Sequence, residues 1–266
     1  FAFADTVAFS VGIGGKLTTR NTPSVLNMKN RPYYFWDGRA GTLEEQALMP
    51  IQNPDEMGLP IEEAVLRLNK SREYRLLFQK IFGQKPTAQN LAAAFSAFEQ
   101  TLETVDSKFD DWSNDLKKLT AREERGRQLF LGDKAKCFDC HRMEDFTTDE
   151  FKNIGLYNGK ELPDAGLFNL TKKEADLGKF KTPGLRNVAV TAPYMHNGMF
   201  KTLEEVKVVA QSKSNKQKLN EQLSSGMFRS MNEDVFDLVN ENQEAMSYQN
   251  ILQWLQGRVA GLQIQM

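Results

Sequence analysis

Cys137, Cys140 and His141 are the residues whose types and spacing most directly imply a chemistry. In the run Cys137-Phe138-Asp139-Cys140-His141 two thiols stand three positions apart, within one helical turn, and an imidazole follows at once. Thiols so placed can form thioethers with the vinyl groups of one haem, and the histidine can ligate its iron from the proximal side. Two other readings use the same residues. A zinc site would want two more Cys or His ligands. The chain has two cysteines and two histidines in all, so His141 and His196 would both have to serve, with Cys140 and His141 adjacent. A redox dithiol belongs in a βαβ pattern, and none surrounds this pentad. The chemistry favoured is redox chemistry at iron.

Composition narrows the setting. A chain of 266 residues suits one large domain or two smaller ones, and 40% apolar content with 18 Phe is enough for a core. A formal charge of −1, from 34 basic and 35 acidic residues, gives no electrostatic case for nucleic acid. No apolar run approaches the roughly 18 residues of a membrane span. Both cysteines lie in the pentad, leaving none for a structural disulfide. Covalent haem attachment implies a periplasmic address. The opening Phe1-Ala2-Phe3-Ala4-Asp5, without an initiator Met, reads as a mature or trimmed product.

The elements that must position the pentad read as helices joined by long loops. Residues 1–60 are rich in turn formers (Gly12, Gly14, Gly15, Pro23, Pro32, Gly38, Pro50, Pro54, Pro60) and read as loops. Ile61, Val65 and Leu68 share one face of a helix after Pro60. Leu91, Ala94, Phe95, Phe98 and Leu102 predict a helix over 87–105. Residues 106–118 read as a charged connector. Thr120-x-x-Glu123 is a capping box opening a helix through Gly126 to Leu131, just before the pentad. Residues 142–190 are loop-like again, and Thr202-x-x-Glu205 caps a short helix. A last helix is expected over 243–256, with Gly126, Phe130 and Trp254 near its crossing with the pre-pentad helix. No repeat at a solenoid period is visible. The expected fold is mainly α, with two cytochrome c-like domains over 1–110 and 118–266, long loops and little strand.

Several runs resemble bacterial dihaem cytochrome c peroxidases and their MauG-type relatives. In the first half these are Arg20-Asn21-Thr22-Pro23-Ser24-Val25-Leu26-Asn27, Phe35-Trp36-Asp37-Gly38-Arg39, Thr42-Leu43-Glu44-Glu45-Gln46 and Pro54-Asp55-Glu56-Met57. In the second they are Gly126 to Phe130, the pentad, Phe180-Lys181-Thr182-Pro183-Gly184-Leu185-Arg186-Asn187, Thr191-Ala192-Pro193-Tyr194-Met195-His196-Asn197-Gly198 and Thr202-Leu203-Glu204-Glu205. They run in the family's order from residue 1 to about 206.

The resemblance implies a periplasmic enzyme that reduces hydrogen peroxide to water. Electrons would come from a small cytochrome c or a cupredoxin and enter at the haem on Cys137, Cys140 and His141. Glu56 would shuttle a proton between the peroxide oxygens, as heterolysis needs a base and then an acid. Trp36 would lie between two haems and assist electron transfer. Asn21, with the backbone carbonyls of Thr191 and Pro193, matches a calcium site, and oxygen ligands suit that hard cation. Arg186 and His196 would pair with haem propionates. Alternatives carried alongside are a MauG-type oxidase acting on a partner protein and a single-haem electron carrier; homodimer formation is left open.

Three departures bear on these roles. The family's earlier C-x-x-C-H for the peroxidatic haem is not in this sequence, and is expected in a segment ahead of Phe1. Ile13 stands where typical peroxidases place a second histidine on that iron, so an open distal side is expected. Ala210 stands where the second haem's distal Met or Tyr is found, so that iron is either five-coordinate or ligated by another side chain, with Met195, Met199, Met227 and Met231 as unranked candidates.

Overall fold

The computed structural model describes residues 2–142 and 144–206, which lie in one compact unit spanning Phe1–Val209. The expected helix at 243–256, Trp254, Ala210, Met227 and Met231 lie outside the described residues.

The described chain is mainly helical, with one small sheet. Helices α1 (Leu43–Gln52), α2 (Ile61–Lys70), α3 (Arg72–Phe82) and α4 (Ala88–Glu99) form a cluster whose centre is Ile51, Ile61, Phe78 and Leu91. Leu48, Leu68, Phe82 and Ala94 close around it, so each helix presents an apolar stripe inward. The short α5 (Lys108–Ser113) follows, then α6 (Ala121–Leu131). The pentad begins with a single 3₁₀ turn at Cys137–Asp139, in which the His141 N–H reaches back to the Cys137 carbonyl at 2.8 Å. Strands β1 (Phe151–Lys152) and β2 (Phe180–Lys181) pair antiparallel, Phe151 opposite Lys181 and Lys152 opposite Phe180.

Helix α2 and the capped start of α6 stand where the sequence places them; Thr120 accepts from the Glu123 N–H while Glu123 reaches back to the Thr120 N–H at 2.7 Å. The helix expected over 87–105 ends at Glu99, where Thr101 turns its hydroxyl onto the Phe98 carbonyl. Two segments read as non-helical are helical. Helix α1 lies within 1–60, capped by the Thr42 hydroxyl on the Glu45 N–H, with Pro50 near its end. Helix α5 lies within the charged connector, opened by a Ser107–Asp110 capping box. The 202–205 segment makes only a 3₁₀ turn; the Thr202 hydroxyl caps nothing, while Glu205 accepts the Lys201 N–H at 2.7 Å.

A long-period duplication underlies this architecture. Thr22-Pro23 and Asn27 recur as Thr182-Pro183 and Asn187, and Thr42-Leu43-Glu44-Glu45 recurs as Thr202-Leu203-Glu204-Glu205, each 160 positions later. The backbones repeat too. Tyr34 bridges Ala40 as Tyr194 bridges Phe200, closing two loops of equal length. The Tyr34 hydroxyl donates to the Met28 carbonyl at 3.1 Å and that of Tyr194 to the Val188 carbonyl at 2.9 Å. Positive φ recurs at Asn27 and Asn187, Phe35 and Met195, and Gly38 and Gly198. Trp36 and His196 occupy the same place in these two loops.

Candidate functional site

Two cavities matter, one in each half. The first, of about 480 Å³, lies beside the pentad, lined by Lys108, Phe109, Trp112, Leu119, Glu123, Gly126, Arg127, Phe130, Leu131, Phe138, His141, Arg142 and Phe146. Its walls come from α5, α6 and the loop after the pentad, and an aromatic cluster holds them together. Phe109 packs on Trp112 and on Phe146 with centroids 5.4 and 4.9 Å apart, and Phe130 meets Phe146 edge-on at 6.1 Å. Phe109 and Trp112 escape a reading that treats 106–118 as a connector; the Ser107-x-x-Asp110 pattern was the available signal.

This cavity fits a haem. Its volume falls in the range of about 300–1,000 Å³ common for cofactor sites, and its lining is mainly apolar. His141 Nδ1 lies 2.9 Å from the Phe146 carbonyl, which can only accept, so Nδ1 carries the proton and Nε2 keeps its lone pair for a metal. Burial pushes the His141 imidazole below its ordinary pKa, against the carbonyls of Phe146 and Pro183, so the ring is neutral as a ligand must be. Both thiols are free and partly exposed; burial raises that of Cys140. Among the described residues no group of three or more His, Cys, Asp or Glu gathers to hold a metal ion, so the further ligands zinc wants are not assembled there.

Trp36 is fixed at both ends. Its indole N–H donates to the Asn21 carbonyl at 2.8 Å, and its own carbonyl accepts the Lys181 N–H of β2 at 2.8 Å. The Asn21 N–H donates to the His196 carbonyl at 2.7 Å, and the His196 ring stacks on Phe180 with centroids 3.7 Å apart. These contacts close a ring through Trp36, Asn21, His196, Phe180 and Lys181. From Lys181 only Thr182 intervenes before Pro183, whose carbonyl lies close enough to the His141 ring to oppose the effect of its burial. Trp36 and the pentad histidine are thereby joined through one strand.

Around this ring run two charge-balanced sets of ion pairs. Arg20 holds Asp37 at 2.6 Å and clasps Asp164 with two nitrogens, while Arg39 takes the same Asp37 at 3.0 Å. Lys181, Asp149, Arg31, Asp145, Arg186 and Asp110 form a second chain, three cations alternating with three anions. Arg186 gives Asp110 two hydrogen bonds, at 2.9 and 2.8 Å, and Asp145 one at 2.8 Å, so its guanidinium is committed to carboxylates. Those bonds hold the Asp110 carboxyl far below the usual range. His196 is 4% exposed and pushed down to about 4, first by burial and further by nearby Arg20, with Asp164 opposing.

The other expected residues are placed as follows. Asn21 is buried, and its amide donates to the Val7 carbonyl at 3.1 Å and more weakly to that of Ala8. Its Oδ1 accepts from no described residue, leaving an oxygen suited to a hard cation. Thr191 and Pro193 belong to the loop that carries His196. Met199 is 43% exposed, and neither it nor Met195 lines the His141 cavity.

The second cavity, of about 350 Å³, is lined by Phe35, Arg39, Met49, Pro50, Gln52, Asn53 and Glu56. Glu56 is half-buried, its N–H on the Asn53 carbonyl at 3.0 Å and its carbonyl accepting the Ile13 N–H at 2.7 Å. That contact needs Gly12, because a Cβ there would meet the Asp55 carbonyl oxygen at 2.0 Å. Ile13 itself is 58% exposed.

A family model described as di-haem cytochrome c peroxidase matches residues 1–118. The cytochrome c peroxidase Ccp of Escherichia coli K12 is 40% identical over 202 residues, covering 73% of this chain and 43% of that protein. The methylamine utilization protein MauG of Methylorubrum extorquens is 39% identical over 207 residues, 77% of this chain and 58% of its own length. The chain belongs to the dihaem cytochrome c peroxidase and MauG family. A crystal structure of a MauG-like protein associated with microbial copper homeostasis matches with a TM-score of 0.69 at 35% identity, covering 77% of this chain and 65% of that one. The chain thus spans roughly half of the curated family members it matches, and the family implies haem c as cofactor.

Proposed function

We propose that this chain carries the electron-receiving half and the distal pocket of a periplasmic dihaem peroxidase, which reduces hydrogen peroxide to water. The observation that carries the reading is the continuity from the pentad to Trp36 through β2, with the Glu56 cavity in the same unit. Bound at Cys137, Cys140 and His141, haem supplies an iron that takes up and passes on one electron at a time. Nδ1 of His141, held by the Phe146 carbonyl, orients the ring and raises its basicity as a ligand. The aromatic wall of Phe109, Trp112, Phe130 and Phe146 excludes water there.

Trp36, clamped at its indole N–H and its carbonyl, keeps one orientation between the two halves. Glu56 takes the proton from one peroxide oxygen and returns it to the other as water leaves. Each turnover consumes two electrons and two protons. The second haem, its attachment residues outside this sequence, would sit against the Glu56 cavity. A small cytochrome c or cupredoxin fits the donor role, calcium fits the free Asn21 Oδ1, and covalent haem attachment fits a periplasmic location.

Steady-state peroxide turnover with a reduced donor tests this reading. Glu56→Gln should lower turnover by about 10²–10⁴-fold; an unchanged rate refutes the acid–base role. Ile13 favours a second reading, a MauG-type enzyme that directs peroxide equivalents to a partner protein, because isoleucine cannot close the distal side. A resting spectrum showing two histidines on the first iron would exclude it.

A further inference from the structure

The Glu56 cavity contains a cation with an unused edge. Arg39 lines it, its guanidinium lying over the Phe35 ring at 3.6 Å from the centroid. Its hydrogen bonds to Asp37 both leave from Nη1, at 3.0 and 3.3 Å. The Nε and Nη2 protons donate to no described group, and Arg39 makes no ion pair with Glu56 among the described residues. Of the other polar walls, the Gln52 amide donates to the Leu48 carbonyl at 3.3 Å and Asn53 Oδ1 accepts the Asp55 N–H at 3.1 Å, so Arg39 is the cation of the lining. Asp37 is shared between Arg39 and Arg20, and Asp164 takes the other face of Arg20, so the Arg39 charge is balanced from the Nη1 side alone.

The duplication shows that this arginine is not a requirement of the loop. In the second half Met199 stands at the equivalent position, with the same backbone. The Arg39 N–H meets Asp37 Oδ1 at 3.3 Å as the Met199 N–H meets Asn197 Oδ1 at 3.3 Å. A charge that the turn does not need is present only in the half that carries Glu56.

We propose that Arg39 is the anion-holding residue of the Glu56 cavity, taking a small monoanion on its free Nε–Nη2 edge. A planar fork of N–H donors suits a carboxylate-sized anion, and formate is the probe of that size. In the peroxidase reading the natural occupant is hydroperoxide, formed as Glu56 accepts the proton; that assignment rests on the proposed function, whereas the binding edge does not.

Calorimetric titration of the haem-loaded, full-length protein with formate at constant ionic strength tests it. Wild type should bind with a stoichiometry of one. Arg39→Gln should bind about 10–100-fold more weakly, the worth of a charge-assisted hydrogen bond, with Arg39→Lys between. Formamide, the neutral counterpart, should not distinguish the three. The Arg20–Asp37 pair stays in every variant, so Asp37 keeps a partner. No saturable formate binding in wild type, or equal binding in Arg39→Gln, overturns the inference. A parallel fluoride titration followed by absorption reads the first iron. If formate binds through Arg39 while that spectrum stays silent, the anion site stands and the peroxidatic haem above it does not.

Discussion

Asp149→Asn probes the buried ion pair beside Trp36. Asp149 and Lys181 are both about 10% exposed in their side chains and stand 3.3 Å apart; Arg31 meets the other Asp149 oxygen at 3.1 Å. Burial already pulls the Lys181 ammonium below its ordinary pKa, and Asp149 is the group that opposes this. The substitution leaves Arg31 paired with Asp145 but strands Lys181 without an anion. Breaking one partner of a buried pair costs about 3–5 kcal/mol. At a urea dependence of about 3 kcal/mol per M that is a fall in midpoint of about 1–2 M with an unchanged slope. The Asp149→Asn/Lys181→Met double variant should regain most of the loss, because Arg31 keeps Asp145 and no unpaired charge is then left in the interior. Urea unfolding followed by circular dichroism, as a double-mutant cycle, gives the coupling directly. A loss below about 1 kcal/mol for Asp149→Asn, or a double variant as unstable as the sum of the singles, refutes the reasoning.

Other consequences follow from the same geometry. The folded-state pKa of His196 is about 4 against an ordinary 6.5, so the unfolded chain binds the extra proton between those values. Its contribution is complete above pH 6.5 and is lost as pH falls towards 4, about 3 kcal/mol in all. His196→Phe, which keeps the stack on Phe180, should flatten the pH dependence of the urea midpoint over that window. A slope unaltered by the substitution contradicts the assignment. Gly12→Ala forces a methyl into the Asp55 carbonyl and should cost about 1–3 kcal/mol by thermal or urea unfolding, together with weakened peroxide turnover as the Ile13–Glu56 contact opens. A fully stable Gly12→Ala with wild-type turnover would show that this contact has no role.

Helix α2 and the capped start of α6 were legible because each depends on local chemistry: one apolar stripe, or one capping box. Helix α1 was hidden by Pro50 and by glycines on both sides, although Thr42 with Glu45 already marks its start. Helix α5 was hidden by charge. Its Asp110 and Lys108 suggest a solvated link, while Phe109 and Trp112 line the cavity beside the pentad, a fact only tertiary packing decides. The resemblance points Arg186 towards propionates, and the structure adds what the sequence does not show, its bonds to Asp110 and Asp145, both distant in sequence. The duplication was present in the sequence as two Thr-Pro and two Thr-Leu-Glu-Glu runs, but a search confined to solenoid periods passes over one of 160 residues. It also separates what a loop needs for its turn, such as Gly38 and Gly198, from what only one half carries, such as Trp36 and Arg39.

The most direct test is mass spectrometry of the native protein after proteolysis, reading the peptide that contains Cys137 to His141. The account predicts one haem joined to that peptide through both sulfurs, with neither thiol open to alkylation. A haem-free peptide whose two cysteines both alkylate would contradict it.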